Sequence, residues 1–176
     1  TAIWFAPIFQ NKPVQGPAGD ESAGYHGYWV TDFTRPDAHF GTRAEFKAFV
    51  DAAHGMGMKV YMDIITNHTA DVIRYADGDA TNYEYRSRGD YPYSTRGKVD
   101  GPRINPGFMF TEHPRVRQGM IDIYGAWIDD FGIDGFRIDT ARHVDPGFWQ
   151  VFVPAMLEHA RAKGIPNFAM FGEVFK

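Results

Sequence analysis

Apolar positions along the chain alternate between two spacings. In "AIWFAPIF", residues 2–9, Ile3, Trp4, Phe5 and Ile8 crowd together and predict a buried strand, ended by Pro7 and the polar loop "QNKPVQGPAGDESAG". Over residues 43–57, Phe46, Phe49, Val50 and Ala53 fall on one helical stripe, with Thr42 or Gly41 as cap and Gly55 and Gly57 as stop. "MKVYMDIITNH" returns to strand spacing through Val60, Met62, Ile64 and Ile65. Residues 70–110 then lose the pattern: Gly, Pro, Asp, Arg and Tyr dominate, as in a long functional loop. Helical spacing resumes in "HPRVRQGMIDIYGAWIDDFG", where Val116, Met120, Ile123, Trp127 and Phe131 recur and Pro114 sits in the first turn. "GIDGFRID" is a third strand. "DPGFWQVFVPAMLEHARAKG" is a third helix, starting at Asp145–Pro146, kinked at Pro154 and ending at Gly164, and "NFAMFGEV" is a fourth strand.

Strands alternating with helices predict an α/β fold of parallel βαβ units. Such units close either as an open doubly wound sheet or as part of a (β/α)8 TIM barrel. No G-x-G-x-x-G turn supports dinucleotide binding. Polar groups gather instead where strands end: Asp63, Asn67 and His68 by the second, Asp139 and His143 by the third, Glu173 by the fourth. In a barrel these share one mouth. Because a full barrel takes about 250 residues, the 176 residues here predict roughly half of one. The chain reads as cut at both ends.

Composition narrows the partners. Net charge is −4 and no long Lys/Arg run occurs, which argues against nucleic acid. No apolar run approaches the roughly 20 residues of a membrane span, and no signal-peptide pattern opens the chain. Cysteine is absent, so neither a disulfide framework nor a thiolate metal site is available. The high aromatic share, 16%, suits sugar or base faces as well as cores.

"GFRIDTARHV" carries the chemistry. Arg137 and Asp139 lie one alternation apart and so face the same side of the strand. A buried guanidinium and carboxylate each need a partner. Asp139 and Glu173 end neighbouring strands about 4.8 Å apart, which lets the carboxyls approach to roughly the 5–5.5 Å of a retaining glycosidase. Strand-end acids also cap helices or pair with arginine, and Arg137 can equally bridge to Asp63. On the catalytic reading Arg137 lowers the pKa of Asp139, while Phe171, Val174 and Phe175 desolvate Glu173 and raise its pKa. "NH" at 67–68 and "YHGYW" at 25–29 add His and aromatic groups to the same rim, which as a set favours a saccharide site.

"AIWFAPIF", "GYHGYW", "DIITNH", "GFRIDTARH" and "FGEV", in this order and spacing, resemble the α-amylase family of glycoside hydrolases, from its second barrel strand to its fifth. The resemblance implies a retaining enzyme, hydrolase or transglycosylase, acting on α-glucosidic bonds of starch-like glucans or maltooligosaccharides. It makes Asp139 the nucleophile and Glu173 the general acid/base, with Arg137 steadying Asp139 and Asp63 supporting Arg137. His68 then binds the sugar at the cleavage subsite, Tyr28 is its stacking platform, and His26 lies beside it. Asn67 and the carbonyl of His143 match positions that often hold a structural Ca²⁺, an ion that takes oxygen ligands. Arg142 and His143 stand on the leaving-group side, Arg142 where many members have Lys.

Two departures accompany the resemblance. The family's third acid, in a His-Asp pair after the seventh strand, has no counterpart here. The excursion, residues 70–110, reads as the remnant of an inserted loop subdomain, shortened, and "INPGFMFTEHP" lacks the acid expected there. A non-enzymatic amylase-like module would have lost the nucleophile or the acid, and both are present. A metal-dependent barrel hydrolase using Asp63, His68 and Glu173 lacks a second His ligand. A secreted or periplasmic setting is the expectation for localisation.

Overall fold

The computed structural model describes residues 1–16, 19–70, 109 and 111–174. The predicted insert at 70–110 lies almost wholly outside the described residues. The main sheet consists of β1 (Ala2–Phe5), β6 (Lys59–Ile65), β7 (Gly135–Asp139) and β8 (Ala169–Gly172), all parallel and in that spatial order. Three helices link these strands: α1 (Arg43–Gly55) precedes β6, α2 (Pro114–Phe131) precedes β7, and α3 (Pro146–Ala162) precedes β8.

Each helix has a local cause. Thr42 and Glu45 form a reciprocal capping box at the start of α1, satisfying two otherwise orphaned donors. His113 accepts from the Arg115 N–H at the start of α2, Pro114 fits the first turn, and Gly132 ends the helix at φ 70°. α3 runs on through Pro154. Phe46, Val50 and Ala53 bury one face of α1, whereas Phe49 from the predicted stripe is 40% exposed.

One face of the sheet packs against the helices. Phe5 meets Phe46 at 5.8 Å, and Phe136 meets Tyr124 at 5.6 Å. Tyr124 is fully buried, yet its hydroxyl donates to the Ile65 carbonyl at 2.5 Å and accepts from the Ile65 N–H at 3.2 Å. That pair ties α2 to the end of β6, just before Asn67 and His68. At the other end of the sheet, the buried Asp134 carboxylate accepts from the Val60 N–H at 2.9 Å, Lys59 at 2.6 Å and His54 at 2.8 Å.

The opposite face is curled inward. Trp4 of β1 and Phe171 of β8 stand three strand spacings of about 4.8 Å apart along the sheet, yet their ring centroids lie 6.1 Å apart. A flat open sheet does not permit this; barrel curvature does. The layer closes over Gly135, which leaves room for Tyr61 between them: a Cβ there would fall 2.7 Å from the Tyr61 ring and 2.2 Å from the Ala169 carbonyl oxygen.

Two expectations change. The strand predicted over 2–9 stops at Phe5, and Trp4 within it is 56% exposed. Part of the segment read as a polar loop is strand: it supplies most of β2 (Phe9–Asn11), which pairs with the later β5 (Val30–Pro36), and both strands of a second small antiparallel sheet, β3 (Val14–Gln15) with β4 (Ser22–Ala23). Among the described residues no helix is long and apolar enough to cross a membrane.

Candidate active site

Parallel pairing fixes which side chains meet. Asp63 of β6 aligns with Arg137 of β7, and Arg137 aligns with Phe171 of β8. Asp139 closes β7 and Glu173 follows β8 by one residue. On this curled face Arg137 is the hub. Its Nη1 donates to Asp63 Oδ1 and Oδ2 at 3.0 and 3.1 Å, to Asp139 Oδ1 at 3.2 Å and to the Tyr28 hydroxyl at 3.2 Å. Its Nη2 reaches Glu173 Oε1 at 3.1 Å. Three carboxylates therefore share one guanidinium, so the structural bridge to Asp63 and the contact to Asp139 coexist.

Burial distributes the charge unevenly. Asp63 is almost wholly enclosed, and burial pushes its carboxyl above the ordinary range although Arg137 and Tyr28 pull it back. Burial, then the neighbouring Asp63, pushes the Tyr28 hydroxyl up to about 12. Asp139 is also raised by burial, against the opposing pull of His68, the Thr140 hydroxyl and Arg137. Glu173 moves the other way. The Thr140 N–H donates to its Oε2 at 3.2 Å, and that bond with Arg137 holds its carboxyl below the usual value.

Each acid is thus shifted in the direction opposite to the expected one. Phe171 and Val174 were expected to desolvate Glu173, but they are 45% and 68% exposed, and the Glu173 side chain is 34% exposed. Phe175 lies outside the described residues. Asp139 is 7% exposed, so desolvation acts on it instead.

His26 and Tyr28 come from the turn at Gly27, whose φ is 82° and where a Cβ would strike the Pro7 carbonyl oxygen at 2.2 Å. The Tyr28 N–H donates to His26 Nδ1 at 3.0 Å, leaving the proton of the neutral imidazole on Nε2. Burial lowers the His26 pKa and keeps it neutral, so it can donate to a sugar hydroxyl. The His26 ring stacks against Tyr28 at 5.6 Å, and Arg137 lies 6.0 Å from the Tyr28 ring centre.

Asn67, His68 and His143 line a single pocket of about 240 Å³ with Gln15, Trp29, Thr69 and Thr140. Asn67 Nδ2 and His68 Nδ1 are 3.3 Å apart. The pocket's amide, hydroxyl and carbonyl oxygens suit calcium in donor type. The negative charge such an ion draws from carboxylates is not supplied there, and no cluster of three or more acidic, His or Cys residues fit for a metal occurs among the described residues. Arg142 is exposed on the one-turn helix Ala141–His143, outside that lining.

Two residues of this site escaped the sequence reading. Trp4 places its ring 5.7 Å from the Arg137 guanidinium carbon. Its signal is strand parity, since Trp4 aligns with Tyr61, two residues before Asp63 on the same face. Thr140 has φ 48° and ψ 34°, the one non-glycine residue with positive φ among those described. For a β-branched residue that conformation costs about 1–2 kcal/mol, and nothing in "IDTARH" announces it.

Known proteins share both fold and motifs. The model of the alpha amylase catalytic domain matches residues 1–110 and 104–169. The chain is 39% identical over 236 residues to an α-amylase of Streptomyces lividans, covering 99% of this chain and 25% of that protein. It is 31% identical over 194 residues to a cyclomaltodextrin glucanotransferase of Geobacillus stearothermophilus, covering 99% and 26%. The crystal structure of an α-amylase from Geobacillus thermoleovorans complexed with acarbose superposes with a TM-score of 0.73 at 34% identity, over 100% of this chain and 37% of that one. The chain thus spans about a quarter of the length of these curated relatives.

Proposed function

Because the chain belongs to the α-amylase family of glycoside hydrolases, we propose that it supplies the nucleophile, the acid/base and the donor-side wall of a retaining α-glucan-active site. The substrates are starch-like glucans or maltooligosaccharides, cleaved or transferred. Relatives that include both an α-amylase and a glucanotransferase support that class. The observation that carries the reading is the single guanidinium bonded to Asp63, Asp139 and Glu173.

In this mechanism Asp139 attacks the anomeric carbon while Glu173 gives a proton to the departing oxygen, leaving a glycosyl ester on Asp139. Glu173 then takes a proton from water, or from an acceptor hydroxyl, as that oxygen displaces the ester. Glu173 must carry a proton for the first step, so substrate entry has to raise the pKa that the Thr140 N–H and Arg137 hold low in the free site. A sugar covering Glu173 does this by removing its water. His26 Nε2–H and His68 bind the sugar hydroxyls, Tyr28 packs against the ring, and Arg142 serves the leaving-group side.

A mechanism-based fluoro-glycoside applied to the full-length protein is expected to label Asp139, and peptide mapping reads the position. A label outside residues 132–145 overturns the assignment.

Calcium is proposed for Asn67 and the His143 carbonyl, whose oxygens suit it in donor type. Residues 70–110 are read as a shortened insert; the alignment with the Streptomyces relative runs over 236 residues against 176 here, so that relative carries extra residues within the aligned stretch. A chelator is expected to lower the melting temperature of the full-length protein, and added Ca²⁺ to restore it. An unchanged melt removes calcium from the site.

A further inference from the structure

The aspartate that opens α3 does not cap its own helix, and its carboxylate is held elsewhere. We propose that Thr111, Arg117 and Asp145 act as positioning residues: they clamp the far end of the turn 140–144 and so hold Arg142 and His143 where a leaving-group sugar meets them. This rests on the proposed glycosidase reading and names what sets acceptor-side recognition at that site.

An aspartate in the position of Asp145, just before Pro146, ordinarily accepts a main-chain N–H of the first helical turn. Here its side chain makes no such bond. Its Oδ1 accepts from Arg117 Nη2 of α2 at 2.8 Å instead. The same arginine donates through Nε to the Thr111 carbonyl at 3.1 Å, and the Thr111 hydroxyl accepts the Asp145 N–H at 3.0 Å. Each of the three residues is thus bonded to the other two. Gly147 leaves room for the ring: a Cβ there would lie 2.8 Å from Arg117 Nη2 and 2.9 Å from Asp145 Oδ1. With side chains 25% and 35% exposed, the ion pair adds little stability by itself, so what the ring supplies is direction. Thr111 is fully buried, its N–H donates to the Met109 carbonyl at 3.0 Å, and the Met109 N–H donates to the Asn67 carbonyl at 2.9 Å. The clamp is therefore fixed to the end of β6. The turn it holds is fixed at its other end by Asp139, which accepts from Arg137. Between these anchors lies the one-turn helix Ala141–His143. His143 shares its pocket with Asn67 and His68, so the clamp joins the two strand ends whose following residues line that pocket.

The test uses the full-length protein with Ca²⁺ in excess and two substrates: maltohexaose, whose leaving group is a sugar, and α-maltotriosyl fluoride, whose leaving group is fluoride. Thr111→Val removes the acceptor of the Asp145 N–H, and Gly147→Ala forces Arg117 and Asp145 apart without altering either. Both variants are expected to lower kcat/KM on maltohexaose about tenfold and to leave that on the fluoride within about twofold of wild type. Thr111→Ser keeps the hydroxyl and stays within about twofold of wild type on both. Should T111V fail to fold, G147A carries the comparison, since alanine suits a helix better than glycine. Amide hydrogen exchange of the peptide 140–150, read by mass spectrometry, makes the same distinction without turnover: it is about tenfold faster in T111V and G147A and unchanged in T111S. An equal loss on both substrates marks a merely structural role and overturns the proposal, as does a wild-type kcat/KM on maltohexaose in both T111V and G147A. If the wild-type protein cleaves neither substrate while T111V and G147A still exchange faster, the glycosidase reading falls and the clamp on the turn stands.

Discussion

Arg137→Met is expected to lower kcat by about 10²–10³-fold and to destabilise the fold by about 3–5 kcal/mol. The loss has two sources. Arg137 is the cation common to Asp63, Asp139 and Glu173, two of them buried, so its removal leaves like charges facing one another without compensation. On the proposed mechanism it also frees the Asp139 carboxyl from the orientation needed for in-line attack. Arg137→Lys keeps the charge but cannot serve the partners of Nη1 and Nη2 at once, and it should fall between. The pH dependence has a definite sign. Burial already raises Asp63 and Asp139, and loss of the cation raises them further. A carboxyl whose folded pKa exceeds its unfolded value adds stability below the unfolded value and loses it as pH rises through the folded one. The deficit in melting temperature is therefore widest at neutral pH and narrows toward about pH 4–5. A constant deficit across that range, or a variant as stable as wild type, refutes the account.

The charged hub was legible because it is local. Arg137 and Asp139 are separated by one residue in a strand, and period-two geometry alone puts them on one face. The neighbouring strand order followed from βαβ succession, which placed Asp63 and Glu173 beside them. What the sequence hid depends on contacts far along the chain. The segment "VTDFTRP" became β5, but its buried residues are Val30, Phe33 and Pro36, at intervals of three, because the register with β2 shifts twice. No alternation marks such a strand. Tyr124 was passed over for Ile123, yet Tyr124 is the fully buried one, since its hydroxyl finds the main chain of Ile65. The expected desolvation of Glu173 fails for a similar reason: apolar neighbours in sequence are not apolar neighbours in space. Phe171 turns toward Trp4 and Tyr61 on the face below Arg137, not toward Glu173.

That aromatic layer gives the second large effect. Gly135→Ala is expected to destabilise the protein by about 3 kcal/mol, near the top of the range for overpacking. The new Cβ would lie 2.2 Å from the Ala169 carbonyl oxygen, which is backbone of the adjacent strand, and 2.7 and 2.8 Å from two carbons of the Tyr61 ring. Side-chain rotation cannot relieve the first contact, so β8 must slide away from β7. Glu173 follows β8 and is held by the Ile138 carbonyl through its own N–H at 2.8 Å, so the slide separates it from Asp139 and Arg137. Activity should fall with stability, although Gly135 touches no substrate. Gly119→Ala on α2 is the matched control: nothing lies within 4 Å of its Cβ, and the change should stabilise by about 0.5–1 kcal/mol. Urea unfolding reads both, as a lowered midpoint at unchanged slope for G135A and a raised one for G119A. A G135A midpoint equal to wild type would mean that β7 and β8 are not packed as closely as the curled sheet requires, and the convergence of Asp139 and Glu173 on one guanidinium would lose its support.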